Sequence, residues 1–87
     1  MMKRLVEDVE GEGMESLLGE VVTLLCNSYF YTGKLVGVND TCVKLQDPSI
    51  VYETGEWSDK AWADAQELPA DTIYVQVGHI EAFGVLK

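Results

Sequence analysis

Residues 19–45, GEVVTLLCNSYFYTGKLVGVNDTCVKL, carry the pattern that decides the fold. Alternation of apolar residues predicts three successive strands, with turns at Asn27-Ser28 and Asn39-Asp40. Gly33 lies inside the second predicted strand, where a glycine marks a sharp bend, a bulge or the close approach of another backbone. The residues expected to share a face are Val22, Leu24 and Cys26 in the first strand, then Tyr31, Gly33 and Leu35 in the second. The stretch therefore predicts a small and strongly curved sheet.

The third predicted strand begins at Cys42 and runs to about residue 51. It alternates through Val43 and Leu45 until it reaches Pro48. Because proline has no N–H to donate to a neighbouring strand, it is confined to sheet edges and bulges. We therefore expect this strand to be broken or bent at Pro48.

The same stretch resembles the first motif of the Sm-like (LSm) family. That motif runs from a glycine through alternating apolar residues to an aromatic-x-Gly-x-Leu pattern, an Asn/Asp turn and a further apolar strand. The matching residues here are Gly19, Val22, Leu24, Tyr31, Gly33, Leu35 and the Asn39-Asp40 turn. Residues 73–85, IYVQVGHIEAFGV, resemble the second motif, a short apolar strand that ends in a basic residue and glycine, or in Tyr-Lys-His in the bacterial RNA chaperone Hfq. The chain is thus similar to a divergent, acidic member of this family.

The resemblance implies a mainly β fold: a small, strongly bent, five-stranded open barrel of the Sm-like, SH3 type, with a short N-terminal helix. The chain is short enough for a single domain, residues 1–87. Within it we expect an N-terminal helix or arm at 1–18, strands 1–3 at 19–52, an acidic insert at 53–72, and strands 4 and 5 at 73–87. Proteins of this family close into rings, and most bind single-stranded RNA.

Two segments are expected to be helical. Apolar residues recur at helical spacing over residues 2–10. The alternative for the N-terminal region is a helical turn at residues 14–18, directly before the first strand. In the insert, Ser58 is a good N-cap and Pro69 stops the element, so we expect a short helix near residues 59–67, between strands 3 and 4.

The charge of the chain opposes strong phosphate binding. Its 15 acidic residues exceed its 6 basic residues, for a net charge of −9. Most of the acids lie in residues 1–20 and 48–72, whereas residues 21–47 balance two acids with two lysines. Proteins that bind phosphate carry clustered Lys and Arg. The electrostatics therefore permit weak RNA binding without arguing for it.

Composition also bounds the location and the chemistry. No apolar run approaches the roughly 20 residues of a membrane span, and acids near the N-terminus stand where a secretory signal has its apolar core; we expect a cytoplasmic protein without membrane contact. Cys26 and Cys42 fit either a disulfide or free thiols, and the cytoplasm favours thiols. With His79 they provide too few ligands for zinc. No catalytic arrangement stands out, so we expect no enzyme, no metal and no cofactor.

The resemblance implies RNA contacts in the loop after the second strand and in the turn of the second motif, namely at Asn39, Asp40, Thr41, Val77, Gly78 and His79. Thr41 stands where many family members stack an aromatic residue or histidine on a base. In place of the Tyr-Lys-His of Hfq the chain has Val77-Gly78-His79, so only the histidine is shared. His79 would bind a base or phosphate from the pore; the alternative is a solvated turn histidine or one bonded to a neighbouring subunit. Asn39-Asp40 equally fits ordinary turn chemistry, because both side chains bond nearby backbone.

Trp57 and Trp62 lie in the acidic insert. Tryptophan is enriched in interface hot spots, which makes the pair a candidate protein-binding surface; the alternative is that both pack the insert onto its own barrel. Unpaired strands at the two sides of an open barrel favour head-to-tail pairing between copies, so we expect a homo-oligomeric ring of about five to seven subunits. The leading hypothesis is a ring that binds single-stranded RNA. The alternative is a non-catalytic ring scaffold that binds a protein partner through the insert.

Overall fold

The alternating segments of the sequence form strands. A computed structural model describes residues 13–87, which fold as a mainly β structure with six antiparallel strands in one open sheet. Two short 3-10 helices, η1 and η2, accompany the strands. In chain order the elements are η1 (Met14–Leu17), β1 (Val21–Cys26), β2 (Phe30–Val38), β3 (Cys42–Glu53), β4 (Asp64–Glu67), β5 (Thr72–Gln76), η2 (Val77–His79) and β6 (Ile80–Gly84).

The longest strand, β3, organises the sheet. One of its edges pairs with β2, which is followed by β1 and then β6, so the sheet runs β4-β3-β2-β1-β6. The other edge of β3 is shared, because residues 42–46 pair with β5 and residues 49–53 pair with β4. Within residues 13–87, β5 pairs only with β3, and β6 pairs only with β1. The outer edges of β5 and β6 thus carry no strand from this part of the chain.

The predicted inward faces form the core. One cluster of buried side chains joins the strands: Val22, Leu24, Cys26, Leu35, Val43, Leu45 and Val75. Met14 and Leu17 of η1 pack against this cluster. Thr23 is buried as well, and its hydroxyl donates a hydrogen bond to the Leu86 carbonyl oxygen at 3.3 Å. The alternation predicted for the first two strands is therefore confirmed, and burial of these aliphatic side chains stabilises the sheet.

β2 and β3 approach each other closely at Gly33. A Cβ atom there would lie 3.0 Å from the Gln46 carbonyl oxygen and 3.3 Å from Pro48 Cα. The pairing register between the two strands shifts at this point. Opposite it, Asp47 adopts a φ of 51° and Pro48 is fully buried. The close approach predicted at Gly33 is confirmed. β3 is not broken at Pro48, but its register with β2 shifts there, and this irregularity separates the half of β3 that pairs with β5 from the half that pairs with β4.

The helix predicted near residues 59–67 is wrong. Turns and bends occupy residues 57–63, and Asp64–Glu67 form β4. A helix shorter than about 12 residues is marginal in water unless it buries an apolar face, whereas the edge of β3 offers backbone hydrogen bonds to an added strand. The Asp59 carboxylate, which would lie in the first turn of such a helix, instead accepts a hydrogen bond from the Glu56 N–H at 3.2 Å. Residues 13–87 consequently hold six strands rather than five.

The helix predicted over residues 2–10 lies outside the described residues. Its alternative, a helical turn directly before the first strand, corresponds in position to η1. Among residues 13–87, no helix has both the length and the apolar character needed to cross a bilayer.

Candidate functional site

The two segments expected to contact RNA lie side by side. Residues 39–41 connect β2 to β3, and η2 directly follows β5. The Val77 N–H donates a hydrogen bond to the Thr41 carbonyl oxygen at 2.9 Å, next to the paired residues Cys42 and Gln76. One end of the β3–β5 pair therefore carries all six predicted contact residues: Asn39, Asp40, Thr41, Val77, Gly78 and His79.

The side chain of Asn39 is engaged within its own loop. Its Oδ1 accepts hydrogen bonds from the Thr41 N–H at 2.8 Å, the Thr41 hydroxyl at 3.0 Å and the Cys42 N–H at 2.9 Å. This is the turn chemistry of the alternative interpretation, in which an asparagine side chain replaces a backbone acceptor. Asn39 therefore holds the shape of the loop, and the exposed side chains of Asp40 and Thr41 face solvent beside it.

A cavity of about 480 Å³ borders this end of the sheet. It lies between the β1–β2 turn and β5, and His79 contributes to its lining. Most of the other lining side chains are apolar or aromatic, including Tyr29, Tyr31, Ile50, Ile73 and Tyr74. His79 itself is exposed at the end of η2. Of the six predicted contact residues, His79 is thus the one that lines this aromatic cavity.

Tyr29 and Tyr74 are functional candidates that the motif comparison missed. Tyr74 is 66% exposed, and Lys44 Nζ lies 5.6 Å from the centroid of its ring. Exposed aromatic rings next to a cation suit the stacking of unpaired bases. Tyr74 stands between Ile73 and Val75, which pack in or against the core. Strand alternation therefore directs Tyr74 outward, and this was the signal in the sequence that could have identified it.

Few charges lie on these segments. Residues 39–44 and 76–79 carry one acid, Asp40, one lysine, Lys44, and the single histidine. Nearby, burial raises the pKa of the Cys26 thiol, and the negative charge of Glu81 raises it further. The Cys26 thiol, which lines the cavity, is therefore protonated and uncharged at neutral pH, a form that is a poor nucleophile.

The two tryptophans of the insert form a second candidate site. Trp57 and Trp62 pack edge to face, with ring centroids 6.0 Å apart. Trp57 is 60% exposed and neither residue belongs to the core cluster. Lys87 Nζ lies 5.4 Å from the Trp57 centroid and 4.5 Å from the Trp62 centroid. The pair therefore packs against the end of the chain, and it leaves one aromatic face open to solvent.

The cysteines and acids suggest no metal centre in the described part of the chain. Cys26 and Cys42 are free thiols. Over residues 13–87, no three His, Cys, Asp or Glu side chains are grouped so that they could hold a metal ion.

Comparison with known proteins adds no family to this geometry, since no family model and no curated protein matches the chain. A function is therefore argued from the residues and their arrangement.

Proposed function

We propose that the chain is an Sm-like, ring-forming protein that binds single-stranded RNA at the surface built by residues 39–41 and 77–79. The observation that carries the proposal is the hydrogen bond between the Val77 N–H and the Thr41 carbonyl oxygen. It joins two segments, distant in sequence, to which the family resemblance independently assigns RNA contacts. A coincidental resemblance of either motif would give no reason for the two segments to meet.

Strand order supports the Sm-like assignment. β1 to β3 come from the first motif, and β5 and β6 come from the second. These five strands correspond to the five of the family's barrel, and β4 is an addition from the acidic insert. The close approach at Gly33 and the register shift between β2 and β3 there support this assignment, because such irregularities are where a strand of a small barrel bends.

The outer edges of β5 and β6, which carry no strand from residues 13–87, support assembly into a ring. Each edge exposes a large aromatic side chain: Tyr74 on β5 is 66% exposed, and Phe83 on β6 is 42% exposed. Pairing β5 of one subunit with β6 of the next would satisfy both edges and cover both rings. Because the two edges differ, the contact is head-to-tail, and it closes into a ring when the rotation per subunit divides a full turn. We propose such a ring of about five to seven subunits. The apolar cavity beside β5 offers space for a side chain of the neighbouring subunit.

RNA recognition in such a ring would depend on bases more than on phosphates. His79 and Tyr29, which line the same cavity, provide surfaces on which bases stack, whereas the Tyr74 ring is covered when β5 pairs with the neighbouring subunit. Lys44 is the cation of this region, and it would supply about one phosphate contact per subunit. With about −0.7 in the slope of log K against log salt for each contact to a single strand, a ring of six would show a slope of roughly −4. The proposed location is the cytoplasm, whose reducing conditions keep Cys26 and Cys42 as thiols.

Fluorescence anisotropy of labelled oligo-U and oligo-A tests the proposal at about 50 mM and about 200 mM salt. We expect salt-sensitive binding that weakens in the variants His79→Ala and Lys44→Ala. Lys60→Ala is the matched control, because it removes the same charge from the exposed insert. Absence of binding at the lower salt, or equal losses in the Lys44 and Lys60 variants, would contradict the proposed site. A monomeric mass at micromolar concentration would contradict the ring.

A second candidate function is a ring scaffold without RNA affinity that binds a protein through Trp57 and Trp62. The exposure of Trp57 on an acidic insert favours it. An interface formed by two aromatic side chains changes little with salt, whereas phosphate binding falls steeply. The double variant Trp57→Ala, Trp62→Ala should abolish partner binding and leave assembly unchanged, and this outcome separates the second candidate from the first.

A further inference from the structure

The ammonium group of Lys87 is bound by the acidic insert. Its Nζ donates hydrogen bonds to the carbonyl oxygens of Thr54 at 2.7 Å and Glu56 at 2.9 Å. The same atom lies 4.5 Å from the ring centroid of Trp62 and 5.4 Å from that of Trp57. Two carbonyl oxygens and two aromatic rings therefore surround one cation, which is the set of groups that stabilises a desolvated ammonium.

This arrangement is organised by contacts that do not involve Lys87. The Ala63 N–H donates to the Thr54 carbonyl at 3.4 Å, which closes the loop between β3 and β4. Across the turn, the Asp59 N–H donates to the Glu56 carbonyl at 3.0 Å, and the Asp59 carboxylate accepts from the Glu56 N–H at 3.2 Å. Because the loop carries its own hydrogen bonds, we expect the carbonyl groups to remain in place when Lys87 leaves.

The segment that brings Lys87 to the site lies outside the strands and is joined to β1 by the hydrogen bond from the Thr23 hydroxyl to the Leu86 carbonyl oxygen. Residues 85–87 lie beyond β6 and form no strand, and Val85 is exposed. The acids of the insert, six over residues 48–72 against Lys60 alone, attract any cation that approaches from solvent. A second ammonium group can therefore compete with Lys87.

We propose that Trp57, Trp62 and the carbonyls of Thr54 and Glu56 form a binding site for an unmodified lysine side chain of a partner protein, and that Lys87 occupies this site in the free protein. Both hydrogen bonds require N–H groups, so a trimethylated lysine, which keeps the charge but has no N–H, loses both of them. The proposal is independent of RNA binding. It rests on the second candidate function in one respect, which is that both assign partner binding to Trp57 and Trp62. It adds that the partner presents an unmodified lysine side chain.

The competition with Lys87 has a measurable consequence. An intramolecular ligand that occupies the site for part of the time weakens the apparent affinity for a partner by the fraction of free sites. Replacing Lys87 with alanine removes this competitor and leaves the loop unchanged. We therefore expect a lysine peptide to bind the Lys87→Ala variant at least about threefold more tightly than the wild-type protein.

Tryptophan fluorescence of the full chain reports on this site alone, because the sequence has two tryptophans and both belong to it. The probe is acetyl-Gly-Lys-Gly-amide, titrated against wild-type protein and the Lys87→Ala variant. Two matched peptides carry trimethyl-lysine or norleucine in place of lysine. We expect the lysine peptide to bind most tightly, the trimethyl-lysine peptide at least about threefold more weakly, and the norleucine peptide not measurably.

Equal binding of all three peptides would overturn the lysine assignment while leaving an apolar tryptophan interface possible, so the two failures are distinguishable. Affinity for the lysine peptide that does not rise in the Lys87→Ala variant would overturn the competition. Trp57→Ala keeps Trp62 as the reporter and should abolish the fluorescence response to the lysine peptide. A full response in that variant would also contradict the site.

Discussion

Replacing Gly33 with alanine should destabilise the sheet at its tightest point. The added Cβ would meet the Gln46 carbonyl oxygen at 3.0 Å, Leu45 Cβ at 3.2 Å and Pro48 Cα at 3.3 Å. Two of these atoms belong to the backbone of β3 and cannot rotate away, so the strands must separate. Overpacking of this kind costs about 1–3 kcal/mol, from which the lower entropy of the unfolded alanine chain recovers about 0.5 kcal/mol. We expect a net loss of about 1.5 kcal/mol in the free energy of unfolding.

For a domain of this size, a loss of about 1.5 kcal/mol corresponds to a fall in Tm of roughly 6–12 °C. Differential scanning calorimetry at one fixed protein concentration measures it, because assembly makes Tm depend on concentration. The control is Gly84→Ala, since a Cβ at Gly84 would meet nothing within 4 Å. This variant should melt at or above the wild-type temperature. A Gly33→Ala variant with the Tm of the wild type, or a control whose Tm falls equally, would refute the close approach of β2 and β3 at Gly33.

Three further predictions concern the core, the Asn39 loop and the thiols. Leu35 is fully buried, so Leu35→Ala should lower the free energy of unfolding by about 2–5 kcal/mol, as measured by urea unfolding. The control is Val36→Ala at the adjacent position, which is 40% exposed and should cost about 0.5 kcal/mol in the same assay. Asn39→Ala should cost about 1 kcal/mol, because three hydrogen bonds of an exposed loop are lost to water, and Asn39→Asp, which keeps the acceptor, should cost less in the same assay. Iodoacetamide at pH 8 should alkylate Cys42 on the order of ten times faster than Cys26, whose thiol is buried and has a raised pKa. Because that pKa is raised by folding, the contribution of Cys26 to stability is complete below the ordinary value of 9.0 and is lost as the pH rises through the folded value. Faster reaction at Cys26 would contradict its burial.

Period-two alternation predicted β1 and β2 and the side chains of each strand that face the core. Val22 and Leu24 are buried in β1, and Leu35 is buried in β2, as their spacing indicated. The local signals at Gly33 and Pro48 were equally informative, because each residue type permits only a few backbone arrangements inside a sheet. These features depend on residues near one another in sequence, and the sequence displays them directly.

The insert was mispredicted because its structure depends on a partner that is distant in sequence. Ser58, Asp59 and the spaced alanines favour a helix locally, yet Asp64–Glu67 are exposed and pair with the edge of β3. Intrinsic helix propensity contributes little to the free energy of a short segment, and the edge of a neighbouring strand offers hydrogen bonds that outweigh it. No periodicity in the insert itself records that edge.

For the candidate functional sites as well, the sequence indicated the residues but not the contacts between distant segments. The motifs located residues 39–41 and 77–79, but they could not indicate that Thr41 and Val77 are hydrogen-bonded to each other. The two tryptophans were identified from composition, whereas their contact with Lys87, 25 and more residues away, required the fold. Contacts between distant segments are properties of the assembled sheet, and a single sequence carries no local signal for them.

The net charge of −9 acts in opposite directions at the two surfaces. Around Trp57 and Trp62 the acids of the insert attract a cationic side chain, so they strengthen the proposed lysine site. At residues 39–41 and 77–79 the same long-range field opposes an approaching phosphate, and Lys44 is a small local compensation. Added salt therefore screens the attraction between the acids of the insert and a cationic side chain. At residues 39–41 and 77–79 it weakens phosphate binding by reducing the gain from counterion release, in proportion to the number of phosphate contacts. The proposed lysine site takes up one ammonium group per subunit, whereas RNA bound by the proposed ring would make several phosphate contacts, so we expect the steeper salt dependence at residues 39–41 and 77–79.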